Sequence, residues 1–229
     1  MNRERAADDE TEIETHWPHR VEGARRVLVL ACGALAREIL SLRDGPLGAF
    51  DVTCLPASLH NRPERIAEAV RGKIHANRAR YDEIFCLYGD CGSGGALDRV
   101  LEEEGVARIE GPHCYAFYAG EAEFSAMMEA EPGTFFLTDF LARHFERLVI
   151  EGLGLDRFPQ LRDDYFGAYR RLVFLAQTDD PEITERAEAA ARRLGLAFER
   201  RFTGLGGIER VLRASLAADR AGEVRRWPV

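Results

Sequence analysis

The sequence predicts an α/β fold, Rossmann-like, with mostly parallel sheet, helices on both faces and about seven strand–helix units. Two observations carry this. Short runs rich in Val, Leu, Ile and Phe alternate with segments of helical period, and those runs are apolar at nearly every position. A strand apolar on both faces is one covered on both faces, which is the condition of a parallel sheet.

The elements follow in order. RRVLVLACG is a buried strand, and ALAREILSL the helix after it. FDVTCLPASLH is a second strand with its exit loop, and the next helix carries Pro63 near its start with Ile66, Val70 and Ile74 spaced by four. DEIFCLYGD is a third strand, GGALDRVLEEEG a helix stopped by Gly105, and VARIEGPHC a short, more polar fourth strand. EAEFSAMMEAEPG is helical, and the chain then passes from strand into helix through TFFLTDFLARHF. RRLVFLAQTDD, PEITERAEAAARRLG, LAFERRFTG and LGGIERVLRASLA complete two more strand–helix units. Residues 1–22 read as a flexible N-terminal arm, 23–220 as the α/β domain and 221–229 as a tail. A boundary between two lobes, if there is one, is expected in the charged loop at 152–168.

The net charge of -8 gives no global basic field, so nucleic acid and anionic membrane are not expected partners. No apolar run approaches the roughly 20 residues of a membrane span. The charged amino terminus has no secretory pattern, so the cytoplasm is the expected location. Thiols stay reduced there, and five cysteines are better read as core residues, metal ligands or reactive groups than as disulfides. A homodimer is expected only because such assemblies are common.

Three cysteines share one kind of position. Cys32, Cys91 and Cys114 each follow the carboxyl end of a strand and precede a helix or helical turn. In an open parallel sheet those ends converge on the ligand-binding edge. A helix amino terminus also favours the thiolate, the form that attacks or binds metal. Gly89, Gly92, Gly94 and Gly95 would let backbone approach a bound cofactor or anion, although the loop lacks the lysine of a phosphate-binding P-loop. Cys54 and Cys86 lie inside apolar runs and read as packing residues.

The remaining polar candidates have plainer readings. His60 reads as a turn residue, His75 as solvated, and His144 with Glu146 as helix surface or packing. Asp90 and Asp139 read as helix caps. Tyr115, Phe117 and Tyr118 pack a helix on the sheet or wall a pocket, and Asp180-Pro181 starts a helix.

The elements VLACGALAREI, LYGDCGSGG, GPHCYAFYAG and EPGTFFLTDFL, in this order, resemble the bacterial and archaeal domain-of-unknown-function family 1638 over about residues 26–216. The family's shared elements fall here on Cys32, on Tyr88 with Gly89 and Cys91, on His113 with Cys114, and on Gly133 with Thr134. Other members place an Asp between the His and the Cys, which this chain lacks. The resemblance implies a link to corrinoid-dependent methylamine or betaine demethylation, hence to one-carbon metabolism. A corrinoid, and a corrinoid protein or methyltransferase as partner, are expectations of the same kind.

Three thiolates leave one coordination position open. Zinc so held binds and activates a thiol or water, and a [4Fe–4S] cluster so held keeps one iron for substrate. Soft thiolates suit both. The leading expectation is a metal-dependent enzyme of a small molecule, with Cys32, Cys91 and Cys114 as ligands, His113 as acid/base or extra ligand, and methyl transfer as one reaction. Alternatives are a lyase-type cluster enzyme, a Cys91 nucleophile with His113 as base, an accessory protein carrying metal or corrinoid, and a plain small-molecule binder.

Overall fold

The computed structural model describes residues 12–18, 23–47, 50–109, 113–217 and 226–227. Along the chain come β1 (Ile13–Thr15), β2 (Val27–Cys32), α1 (Ala36–Leu42), β3 (Asp51–Leu55), α2 (Ile66–Asn77), β4 (Glu83–Leu87), α3 (Ala96–Glu104) and β5 (Ala107–Ile109). There follow α4 (Tyr115–Ala119), α5 (Glu121–Ala130), β6 (Thr134–Thr138), α6 (Asp139–Arg143), α7 (Leu161–Phe166), β7 (Arg171–Ala176), α8 (Pro181–Leu194) and β8 (Ala197–Phe202). The chain ends with α9 (Gly206–Ala217) and β9 (Arg226–Trp227). Parallel sheets flanked by helices make this an α/β, Rossmann-like fold, as the alternation of apolar runs predicts.

Two compact units divide the chain: residues 1–114 with 207–229, and residues 115–206. The division therefore falls after Cys114 and before Gly207, not in the charged loop at 152–168. That loop lies inside the second unit because Leu153, Leu155, Leu161 and Phe166, set among its charges, join the second unit's core.

The first unit holds a sheet of order β1-β3-β2-β4-β5-β9, parallel except for β1 against β3. Central strand β2 is buried at every residue, which accounts for its unbroken apolar run. Helix α2 buries Ile66, Ala67, Val70 and Ile74, one stripe of its surface. Its outer side joins α3 through ion pairs of Arg71 with Glu103 (2.7 Å) and Glu104 (3.1 Å), and His75 also meets Glu104 at 2.8 Å.

Part of the expected arm is ordered structure. Ile13–Thr15 pairs antiparallel with β3, and the buried Asp51 carboxylate accepts from the Trp17 N–H (2.6 Å) and the Tyr81 hydroxyl (2.7 Å). An edge position needs only backbone pairing, so a polar sequence can fill it. Within the expected tail, Arg226–Trp227 pairs in parallel with β5. The rest of both segments, residues 1–11, 19–22, 221–225 and 228–229, lies outside the described residues.

The second unit has a parallel sheet of order β6-β7-β8. Helix α8 presents Ile183, Ala187, Ala190, Ala191 and Leu194 to its core. Asp180 starts that helix, its carboxylate accepting from the Glu182 N–H at 2.9 Å, with Pro181 at the first turn. An Asp180→Ala variant is expected to lose about 1 kcal/mol in chemical denaturation, and Asp180→Ser most of that less. Equal losses in the two variants would count against capping. Among the described residues, no helix is long and apolar enough to cross a membrane.

Candidate functional site

In the first sheet β2 and β4 are neighbours, with β3 beyond β2 and β5 beyond β4. The chain thus builds outward in opposite directions from this pair, and a parallel sheet opens its ligand crevice at such a switch point. Cys32 ends β2, and Tyr88 and Cys91 follow β4. His60 lies in the 3-10 segment Ala57–Asn61 after β3, while His113 and Cys114 follow β5.

Two glycines let these exits close on one another. A Cβ at Gly89 would stand 3.0 Å from the Cys114 nitrogen and 3.0 Å from the His113 carbonyl carbon. A Cβ at Gly33 would stand 2.9 Å from the Leu55 carbonyl oxygen and 3.3 Å from the Ala57 nitrogen. Backbone rather than flexible side chain occupies both spaces, so a larger residue would push the loops apart. Gly89, read from sequence as a cofactor contact, thus has a packing reason to be glycine.

The turn after β4 spends its amides on itself. Asp90 accepts from the Ser93 hydroxyl (2.6 Å), the Gly95 N–H (2.9 Å) and the Gly94 N–H (3.2 Å). Burial opposes ionisation of Asp90, yet these donors hold its carboxyl below the usual carboxylate range. The N–H groups of Gly94 and Gly95, expected from sequence to meet a cofactor or anion, are therefore already committed. Cys91 sits at φ 46°, the sole non-glycine residue with positive φ among those described. Such a conformation in a side-chain-bearing residue is uncommon and clusters at functional sites.

The three cysteines act on one another electrostatically. The Cys114 thiol donates to the Cys91 sulfur, and this lowers the Cys91 pKa most; burial opposes it, and His113 and His60 also hydrogen-bond to Cys91 and lower it. The net direction is far below an ordinary thiol. Cys114 is held well above one by that same bond, by burial, and by the Cys91 and Cys32 charges. Burial first, then the Cys91 charge, pushes the Cys32 thiol up to about 11, against the Ala34 N–H and Tyr88. Tyr88, 2% exposed, turns its hydroxyl toward Cys32 without completing a full hydrogen bond to any partner. His60, by contrast, lies at the exposed side.

Cys54 and Cys86 are wholly buried in β3 and β4, as their apolar runs predict, and burial pushes the Cys86 thiol up to about 12. Among the described residues, no three His, Cys, Asp or Glu side chains already stand at coordination positions around one point. A hydrogen bond links Cys91 with Cys114, and Cys32 acts on both through charge.

In the second unit, Asp139 differs from its expected role. Thr138 caps α6, accepting from the Leu141 N–H. Asp139 instead ties the exit of β6 to that of β7, accepting from the N–H groups of Gln177 (3.0 Å) and Thr178 (3.1 Å) and from the Thr178 hydroxyl (2.5 Å). Tyr115 packs on Phe136 with ring centroids 5.6 Å apart, and Phe117 is fully buried.

A family model described as a protein of unknown function (DUF1638) matches residues 54–212. The chain belongs to this family. The DUF1638 match begins at Cys54, so it spans His60, Tyr88, Cys91, His113 and Cys114 but not Cys32. No curated protein and no solved structure matches the chain. Sequence reasoning favoured a turn role for His60 over a place on this same edge, and gave Tyr88 no role.

Proposed function

We propose that the protein is an enzyme acting on a small molecule at a soft-metal centre held by Cys32, Cys91 and Cys114. What supports this is that three thiols at three exits of one sheet act on one another electrostatically beside a buried Tyr88 hydroxyl with no full hydrogen bond. Thiolates are the ligands that zinc and iron–sulfur clusters prefer, and three of them leave a position for substrate. The metal supplies Lewis acidity at that position. Tyr88 offers a hydroxyl to whatever group stands there, and His113, bonded to Cys91, is the acid/base or further ligand. The finer form of the proposal, carried by the resemblance alone, is methyl transfer in methylated-amine metabolism with a corrinoid partner.

A second reading rests on the positive φ of Cys91. A strained turn between strand and helix presents a nucleophile, and Cys91 with His113 would then act without metal. Metal analysis of anaerobically purified protein separates the two. About one zinc per chain, or iron with matching sulfide, lost in each of Cys32→Ser, Cys91→Ser and Cys114→Ser, is the expected result. Metal-free, folded protein whose activity falls only in Cys91→Ser would favour the nucleophile. Bound metal without turnover of any methyl donor would point to an accessory role.

A further inference from the structure

Strand β8 is the open edge of the second unit's sheet. Among the described strands it pairs with β7 alone, and none of its residues is buried, whereas β6 at the opposite edge is mostly buried. Two flanking bonds decide which of its amides face outward. The N–H groups of Ala197 and Thr203 donate to the carbonyls of Arg170 and Ala176, the β7 side. In a parallel ladder the N–H and C=O of one residue point to the same side, and the side alternates along the strand. Phe198, Arg200 and Phe202 therefore turn these groups away from β7, and among the described residues no hydrogen bond satisfies them. Phe202 is also 61% exposed.

We infer that β8 is the interface of a homodimer, pairing antiparallel with β8 of a second copy in the register centred on Arg200. A two-fold axis through that point sets Phe198 opposite Phe202 of the second copy, and Glu199 opposite Arg201 of the second copy. The outward-facing residues become the hydrogen-bonded pairs, each exchanging both N–H···O bonds, and Phe198 covers the exposed Phe202. Glu199 and Arg201 become the closer, non-hydrogen-bonded pairs, about 4.5 Å between Cα atoms. Moving the centre to Glu199 or to Arg201 would bring like charges together at that short spacing. The Arg200 pair on the axis has the wider spacing, about 5.5 Å, and each Arg200 already holds Asp179 at 2.7 Å. Glu199 and Arg201 keep their own Arg171 (3.0 Å) and Glu123 (2.9 Å) while remaining partly exposed to a second copy. Charges on an edge strand commonly repel other chains. Here their order makes one register attractive and its neighbours repulsive. The contact is short, so the dimer is reversible and forms as concentration rises.

The test is sedimentation velocity of the reduced full-length chain over a concentration series, with wild type expected to pass from monomer to dimer. Glu199→Arg and Arg201→Glu should each weaken association about 10-fold, because each sets a like-charged pair across the axis twice. An equimolar mixture of the two variants should recover wild-type association, since every such pair is then of opposite charge. Amide exchange of wild type gives a check that needs no variant. Protection of the Phe198, Arg200 and Phe202 amides should rise with concentration, while Glu199 and Arg201, bonded to β7, stay unchanged. A chain monomeric at every concentration, or a dimer that leaves those three amides unprotected, overturns the interface. Variants that associate as wild type does, or a mixture as weak as its components, overturn the register.

Discussion

Reduced, metal-free protein is expected to show the ultraviolet absorbance of a thiolate at about pH 7, below the ordinary thiol value of about 8.5, and a Cys91→Ala variant to lose it. The cause is local. Cys114, His113 and His60 all hydrogen-bond to the Cys91 sulfur, and together they outweigh the burial that would otherwise keep it protonated. Cys32, Cys114 and Tyr88, the other titratable groups facing it, are all pushed the opposite way. The stability linkage has a definite sign. With its folded pKa depressed, Cys91 contributes stability that is fully present above the unfolded thiol value and is lost as pH falls toward the folded one. Cys114, raised, contributes stability present below the unfolded value and lost as pH climbs through its own folded value. The advantage of wild type over Cys91→Ala should therefore grow as pH rises from acid toward about 8.5 and then stop growing. Cys86→Ala, which removes a core thiol held protonated by burial, should leave the absorbance unchanged. If instead Cys91→Ala keeps the signal, the thiolate has been assigned to the wrong residue.

Asp139→Ala is expected to cost about 3 kcal/mol or more of stability, the largest effect among single changes in the second unit. The carboxylate is 0% exposed and accepts from two backbone N–H groups and one hydroxyl, all at the exit of β7. Removing it leaves those amides buried without an acceptor, and each such group costs about 1–3 kcal/mol. Arg143 also stands 3.8 Å away and would lose its counter-charge. Asp139→Asn keeps one acceptor oxygen and should cost less. Hydrogen exchange is the proper readout, because both tryptophans, Trp17 and Trp227, belong to the first unit. Protection of the Leu172 to Ala176 amides should fall by about two orders of magnitude, each being 1.4 kcal/mol. Unchanged protection there would mean that water or a rearranged Gln177 replaces the carboxylate.

How much of this was legible follows from the kind of signal each feature leaves. The apolar runs of β2 and β7 announce themselves because both strands are buried on both faces. The places of Cys32, Cys91 and Cys114 at strand exits were legible because a strand exit is a local pattern. The ordered Ile13–Thr15 was hidden because an edge strand needs no apolar face of its own. The division into units was hidden for another reason. Helix α9 from Gly207 onward rejoins residues 1–114 across the whole second unit, and no local composition marks such a return. The bonds of Gly94 and Gly95 to Asp90 were not legible, since a glycine turn that cradles an anion and one that cradles its own Asp90 read alike in sequence.

The neighbour order β3-β2-β4-β5 has a kinetic consequence. Each member of the thiol cluster comes from a different strand exit, so no fragment holding a single strand–helix unit can carry the site. Every contact that assembles it closes a long loop, and such contacts form late when a chain folds. A ligand that needs all of Cys32, Cys91 and Cys114 can therefore load only onto a nearly finished first sheet. Bound ligand would then act as a clasp, slowing the reopening of three strand ends at once.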